Sequence, residues 1–299
     1  MNCFDVDMTN VSIKIITAGY SVGKKLDYAI LMDEYEAIAV DVVAVCANEL
    51  ISKGAKPITF EAHIVGNQIE EKVKEILVKN ITESCQEIGI TTLDIKWEKP
   101  TQLFKEKAFS ISGFSVGVIT RGKCVEGDEI KAGDVLIGIR SNGIHTSGLE
   151  LVQKLYNPTA KTELEAFDKD FLEPSEVEIL KPTQIYVNSI VTLLEKVKVK
   201  GIANVTEGGL FGGISQILPD QKGCVFNTKS YEIPLVFQVM QERAGITDKE
   251  AYSTFNMGIG MVLFVEKQEV ECTLNALQAV GEIAVVLGEV TDGMEIELK

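Results

Sequence analysis

The sequence is poor in the residues from which most metal and acid–base centres are built. Only two histidines, His63 and His145, occur in 299 residues, which excludes a His-rich metal site or a mechanism needing several imidazoles. The six cysteines, Cys3, Cys46, Cys85, Cys124, Cys224 and Cys272, form no Cys-x-x-Cys pair, so zinc ribbons and thioredoxin-type redox sites are unsupported. Isolated cysteines of this kind read as reduced, mostly buried thiols. Positive charge is also short: 29 Lys and Arg stand against 44 Asp and Glu, a net charge of −15. That balance opposes binding to a nucleic acid polymer or an anionic membrane, although local positive pockets remain compatible with it. No apolar run approaches the roughly 20 residues needed to span a bilayer; residues 37–46, among the longest, contain Asp41. Residues 1–10 carry Asp5 and Asp7 without a basic stretch and apolar core, so they do not read as a signal peptide. The expectation is a cytoplasmic protein.

What is present is an ordinary globular balance, 45% apolar and 24% charged, in a chain of about two domains. Alternation predicts strands over residues 11–17, 58–65, 109–121, 135–139, 255–266 and 283–290. Helices are predicted over 37–51, which is apolar nearly all round, over 68–88, and over 149–156, 182–197 and 234–243. Gly-rich turns fall at 141–148 and 206–213, the second followed by a helix to Leu218. Residues 157–175 read as loop, and the Gly-punctuated polar stretch 122–133 as a linker. The fold class predicted is α+β in two halves, domains 1–122 and 123–299, each a sheet with helices on one face.

Several stretches together resemble the aminoimidazole ribonucleotide (AIR) synthetase family. They are Asp41-Val-Val-Ala-Val-Cys-Ala-Asn-Glu49 with Lys53-Gly-Ala-Lys-Pro57, Gly113-Phe-Ser-Val-Gly-Val-Ile119, and Gly143-Ile-His-Thr-Ser-Gly148. Pro182-Thr-Gln-Ile-Tyr-Val187, Thr206-Glu-Gly-Gly209 and Phe255-Asn-Met-Gly-Ile-Gly-Met261 follow in the family's order. The resemblance implies a two-domain AIR-synthetase-like fold whose first domains pair across a homodimer into a shared β-barrel. It implies closure of an imidazole ring, with ATP and Mg²⁺ activating the amide oxygen of formylglycinamidine ribonucleotide. It also implies that the second-domain turns face the ribonucleotide, with Asn142, Gly143, His145, Thr206, Gly208 and Gly209 as candidate ligands.

The departures from the family pattern concern charge. Where the family reads Asp-Gly-Val-Gly-Thr-Lys, this chain reads Tyr20-Ser-Val-Gly-Lys-Lys25. Where it reads Gly-Gly-Glu-Thr-Ala-Glu, this chain has Asp94-Ile-Lys-Trp-Glu-Lys99. A hard cation such as Mg²⁺ wants carboxylate or phosphate oxygens, so Lys24, Lys25, Lys96 and Lys99 suggest a pocket that neutralises phosphate statically. Trp97 either stacks on a base or packs, and Asp41 is either a site residue or a satisfied buried carboxylate. Tyr20 and Asn48 complete the candidate set. These changes point to a non-catalytic homologue that binds, or sequesters, a phosphorylated nucleotide. The alternative is a divergent ATP-dependent cyclo-ligase using ATP and Mg²⁺, with metal ligands drawn from Asp41, Glu49 and Asp94. A partner-binding protein using the fold alone is the third reading.

Overall fold

A computed structural model of the chain describes residues 13–99, 108–120, 122–156 and 178–299. The chain divides into two compact units, and the predicted loop 157–175 lies outside the described residues.

The first unit runs to Cys124 and takes back Ile185–Val187 from later in the chain. Its sheet has the order β1-β4-β2-β3, from Ile13–Ser21 (β1), Lys56–Gly66 (β2), Thr91–Glu98 (β3) and Phe109–Thr120 (β4). β4 is antiparallel to both of its neighbours, and β3 runs parallel to β2. β4 alternates strictly: Phe109, Ile111, Gly113, Ser115, Gly117 and Ile119 are buried, while Phe114 and Thr120 are exposed. The buried row faces helix α2 (Glu36–Ser52), and a Cβ on Gly113 would stand 2.8 Å from Val42 Cγ2 and 2.7 Å from the Phe60 ring. The apolar surround of α2 follows from its position, since 14 of its side chains are buried. Helix α3 (Glu71–Glu87) packs chiefly on α2 and also on β3, burying the stripe Val73, Leu77, Ile81 and Cys85.

Helix α1 (Lys24–Met32) was not predicted. Lys24 and Lys25, expected from the sequence to be pocket lysines, open this helix. β3 also escapes the list of predicted strands, although Leu93, Ile95 and Trp97 alternate along it.

The second unit holds a six-stranded sheet of order β10-β7-β9-β5-β8-β6. Its strands are Val135–Arg140 (β5), Val199–Asn204 (β6), Lys222–Phe226 (β7), Ile259–Val265 (β8), Ala284–Asp292 (β9) and Ile296–Leu298 (β10). Every residue of β8 is buried, as expected for an inner strand covered on both faces. The helices are Leu149–Tyr156 (α4), Val187–Leu194 (α5), Gly209–Ile217 (α6), Leu235–Ala244 (α7), Asp248–Thr254 (α8) and Val270–Ala279 (α9). α5 is shorter than the helix predicted over 182–197, because Pro182 and the four residues after it are not helical. α8 starts at a capping box: Thr247 Oγ1 accepts from Glu250 N–H, and the Glu250 carboxylate accepts from Thr247 N–H. One edge of the second sheet is tied by a buried ionic group. Lys200 Nζ donates to both carboxylate oxygens of Asp134, at 2.8 and 3.0 Å, and lies 3.0 Å from Glu266 Oε1.

Candidate functional site

In the first unit the candidate residues occupy different sides of the sheet. Lys25 and Asp41 are both fully buried, with Lys25 Nζ 2.8 Å from Asp41 Oδ2. Asp41 is therefore a compensated interior carboxylate, and Lys25 is its counter-ion. Asn48, seven residues on along α2, is also buried, and its Oδ1 accepts the Tyr186 N–H at 2.9 Å. Tyr20 lies half-buried on the helix side of β1, opposite Gly113. Burial pushes the nearby Cys46 thiol up to about 12, against which a hydrogen bond with the Tyr20 backbone pulls it down.

Lys96, Trp97 and Lys99 sit far from that end of the sheet. Ser21, Ser112, His63 and Lys96 form one row across the four strands. Three interstrand steps, about 14 Å, thus separate the end of β1, where α1 begins, from Lys96. Lys96 is exposed on the open face and pairs with Glu61. Hydrogen bonding to Glu61 outweighs desolvation and raises its pKa. Trp97 projects from the opposite face of β3, and Lys74 Nζ lies 5.9 Å from its ring centroid. Lys99 is exposed just past the strand, and Lys24 pairs loosely with Asp27 at 4.0 Å. The four lysines do not converge on one phosphate.

The proposed carboxylate ligands do not converge either. Eight residues of α2, about 12 Å of helix rise, separate Asp41 from Glu49, and Glu49 is exposed. Asp94 pairs in register with Glu61 on the sheet face away from α2. Among the described residues no three His, Cys, Asp or Glu side chains cluster as metal ligands. These donors do not fit a resident metal ion. A cavity of about 210 Å³, floored by Ile30, Tyr35, Ile69, Val73 and Phe109, holds none of the predicted site residues.

The second unit brings its candidates close together. The turn 141–148 follows β5 and leads into α4, and His145 in it is buried with φ +54°. A non-glycine residue in that region costs about 1–3 kcal/mol and persists only where its surroundings hold it. His145 Nε2 lies 2.7 Å from Asn142 Oδ1 and 3.4 Å from the Gln184 amide. Gln184 Nε2 in turn donates to Glu282 at 2.8 Å, and Ser189 Oγ donates to the other oxygen of that carboxylate at 2.6 Å. Gly143 is buried, and Asn142 is exposed.

The second turn opens α6. Gly208 and Gly209 take φ of +82° and +62°. The amides at this helix start are engaged: Gly209 N–H donates to Thr206 O and Leu210 N–H to Phe255 O. A Cβ on Gly209 would stand 2.7 Å from the carbonyl oxygens of both Phe255 and Tyr252. A Cβ on Gly148 would stand 2.2 Å from the Phe255 ring. Close packing therefore explains glycine at both positions. In the sequence Asn256 stands only as one residue of the stretch Phe255-Asn-Met-Gly-Ile-Gly-Met261. It is fully buried between these turns, and the signal that marks it is its spacing from Gly258, an Asn-x-Gly turn.

The match to known families follows these same segments. Residues 4–119 match the AIR synthase related protein N-terminal domain, and residues 131–299 the corresponding C-terminal domain. The chain belongs to the AIR synthase family. Among its relatives is a phosphoribosylformylglycinamidine cyclo-ligase of Alkaliphilus oremlandii, 35% identical over 97% of this chain and 85% of the relative. A cyclo-ligase of Clostridium perfringens is 37% identical over 94% of this chain and 82% of the relative. The fold is also that of Escherichia coli HypE, a hydrogenase maturation protein (TM-score 0.69, 18% identity, 100% of this chain and 87% of that chain). Thiamine-monophosphate kinase from Stenotrophomonas maltophilia shares it too (TM-score 0.68, 14% identity, 96% and 85%).

The family match corrects the main functional expectation from the sequence. Relatives at this identity over nearly the whole chain carry the name cyclo-ligase, which overturns the reading of a non-catalytic pseudoenzyme that sequesters its ligand. That reading requires the lysines to reverse the charge of one pocket. It fails because Lys25, on α1, is spent on Asp41, while Lys96, on the edge strand β3, pairs with Glu61.

Proposed function

We propose that this chain is an ATP-dependent phosphoribosylformylglycinamidine cyclo-ligase. The observation that carries this reading is identity of 35–37% to cyclo-ligases over more than nine-tenths of the chain. Such an enzyme uses ATP to activate the amide oxygen of formylglycinamidine ribonucleotide, and ring closure then releases ADP and phosphate. A divalent cation enters with ATP as part of the substrate, held mainly by phosphate oxygens, as small hard cations are.

This chain's own groups supply binding and orientation. We assign the ribonucleotide to the second-unit turns, where Asn142, His145 and Thr206 offer polar groups on a rigid backbone. In the first unit α1 begins after Gly23 without a side-chain cap, with Lys24 45% exposed beside it. An uncapped helix start with an accessible ammonium suits a polyphosphate. Lys25 and Asp41 hold that helix start against α2 from inside. The free thiols of Cys46, Cys85, Cys124, Cys224 and Cys272 agree with a reducing, cytoplasmic setting.

We further propose that the partner of the first-unit sheet is a second copy of this chain. Its face away from α2 carries Ile15, 62% exposed, and Phe114, 50% exposed, beside Val116 and Val118. Apolar side chains on an uncovered sheet face favour association.

The test of the activity is ADP release that depends on formylglycinamidine ribonucleotide. Turnover on the order of 1–10 s⁻¹, ordinary for an enzyme, is expected. ADP release that ignores the ribonucleotide, or none at all, defeats the assignment.

A further inference from the structure

Asn256 is a fully buried polar side chain with no direct part in the binding groups assigned above. Its amide nitrogen donates to Gly143 O at 2.9 Å, and its Oδ1 accepts the Gly258 N–H at 2.9 Å. Its own backbone N–H donates to Ser147 Oγ at 3.1 Å, and Ser147 Oγ donates on to Ile144 O at 2.8 Å. Ser141 N–H closes the lace from the other side by donating to Gly258 O at 2.9 Å. The two segments joined in this way lie more than a hundred residues apart in the chain. Each holds residues in the left-handed region: His145 in the turn, and Met257 with Gly258 in the loop. Neither backbone is a conformation that a free peptide would favour, so each is kept by the contacts between them.

We infer that Asn256 is a positioning residue for the ribonucleotide. Its amide fixes the 141–148 turn, and so sets where Asn142 and His145 stand. This rests on the cyclo-ligase reading for the identity of the ligand, but the geometry of the lace does not. The preceding residue extends the effect. Phe255 packs its ring on Gly148 and gives its carbonyl to Leu210, so the 255–258 loop holds both glycine turns at once.

Gly143 O also accepts from Ser141 Oγ at 2.9 Å, but that bond lies within the turn; the Asn256 amide is the donor that ties Gly143 O to the 256–258 loop. Asn256→Asp keeps an acceptor for Gly258 N–H but replaces the donor with an oxygen that repels the Gly143 carbonyl. Burial raises a carboxyl's pKa, so lowering the pH returns a proton and with it an O–H donor. Asn256→Ala has no such recovery.

Two measurements on the full chain test this. In the first, hydrogen-exchange protection is followed for peptides spanning residues 141–149. Asn256→Asp is expected to lose about tenfold in protection at pH 8, the scale of one buried hydrogen bond. It regains it near pH 5.5, whereas Asn256→Ala stays unprotected at both. In the second, KM is measured separately for formylglycinamidine ribonucleotide and for ATP. A rise of about tenfold is expected in the first alone, with kcat changed less. If Asn256→Asp does not fold, Ser147→Ala, which removes the acceptor of the Asn256 N–H, carries both measurements with the same expected direction. Unchanged protection in the turn overturns the inference, as does equal movement of both KM values. A wild-type protein without ribonucleotide-dependent turnover defeats the cyclo-ligase reading instead, and the exchange measurement then decides the role of Asn256 in the turn.

Discussion

Lys25 and Asp41 form an ion pair with no solvent exposure on either side chain, Nζ to Oδ2 at 2.8 Å. Taking two such charges out of water is expensive, and their attraction repays it only while both are present. The pair joins the first turn of α1 to the middle of α2, the helix on which the first-unit sheet rests.

Removing one partner should therefore be much worse than removing both. Asp41→Asn or Lys25→Met alone is expected to cost about 3–5 kcal/mol, while a paired apolar replacement costs less than either. Urea denaturation of the two single variants and the double variant checks this. Additive losses would mean that the pair is not coupled.

The ionic group around Lys200 predicts a pH dependence. Burial pulls the Lys200 pKa down, but its hydrogen bonds to Asp134 and Glu266 prevail and leave it raised. A raised folded-state pKa stabilises below the unfolded value, near 10.4, and that stability is lost as pH rises through the folded value. Glu266 shifts the other way, lowered first by its hydrogen bond with Lys200. Its contribution is present above the unfolded value, near 4.3, and is lost as pH falls through the folded one. The urea midpoint should fall at both extremes. In Lys200→Met the alkaline loss should shrink, at a cost of about 3–5 kcal/mol near neutrality, because Asp134 is left buried without its cation.

Thiol reactivity should follow burial. Desolvation pushes Cys46 and Cys224 up to about 12 and Cys85 to about 11, so little thiolate forms at pH 8. Among the cysteines of the described residues, Cys272 is exposed and should be modified first, with Cys124 slower. Peptide mapping after brief treatment with a disulfide reagent reads the order directly. Early labelling of Cys46 or Cys224 would contradict the burial of α2 or β7.

Two glycines separate backbone strain from packing. Gly89 has φ +67° and nothing within 4 Å of a built Cβ, so Gly89→Ala should cost only the left-handed penalty, about 1–2 kcal/mol. Gly148 has φ +70° and the Phe255 ring at 2.2 Å, so Gly148→Ala adds about 1–3 kcal/mol of overpacking. Comparable melting temperatures for the two variants would show that the Phe255 ring yields freely.

Association through the first-unit sheet predicts that Phe114→Glu lowers the molecular mass measured by light scattering toward one chain. A wild-type protein already monomeric at micromolar concentration would remove the second copy from the proposal.

Local pattern carried much of the fold. The alternation of β4, the stripe of α3 and the apolar surround of α2 are each written in consecutive residues, because burial on one face imposes a period of two or near 3.6. The glycine turns and the family motifs were legible for the same reason, being contiguous. Long-range pairing was not. Whether Asp41 was a ligand or a satisfied carboxylate depended on which cation met it. Lys25 does so only because α1 forms over residues for which the sequence pattern predicts no helix. Lys96 and Lys24 looked like one charge cluster until the strand order β1-β4-β2-β3 set two strands between those that carry or precede them. The alternation predicted through residues 255–266 takes in Asn256 but says nothing of its role. Its role arises when β5 and β8 pair and bring residues 141–147 against residues 256–258, a register that only the folded sheet determines.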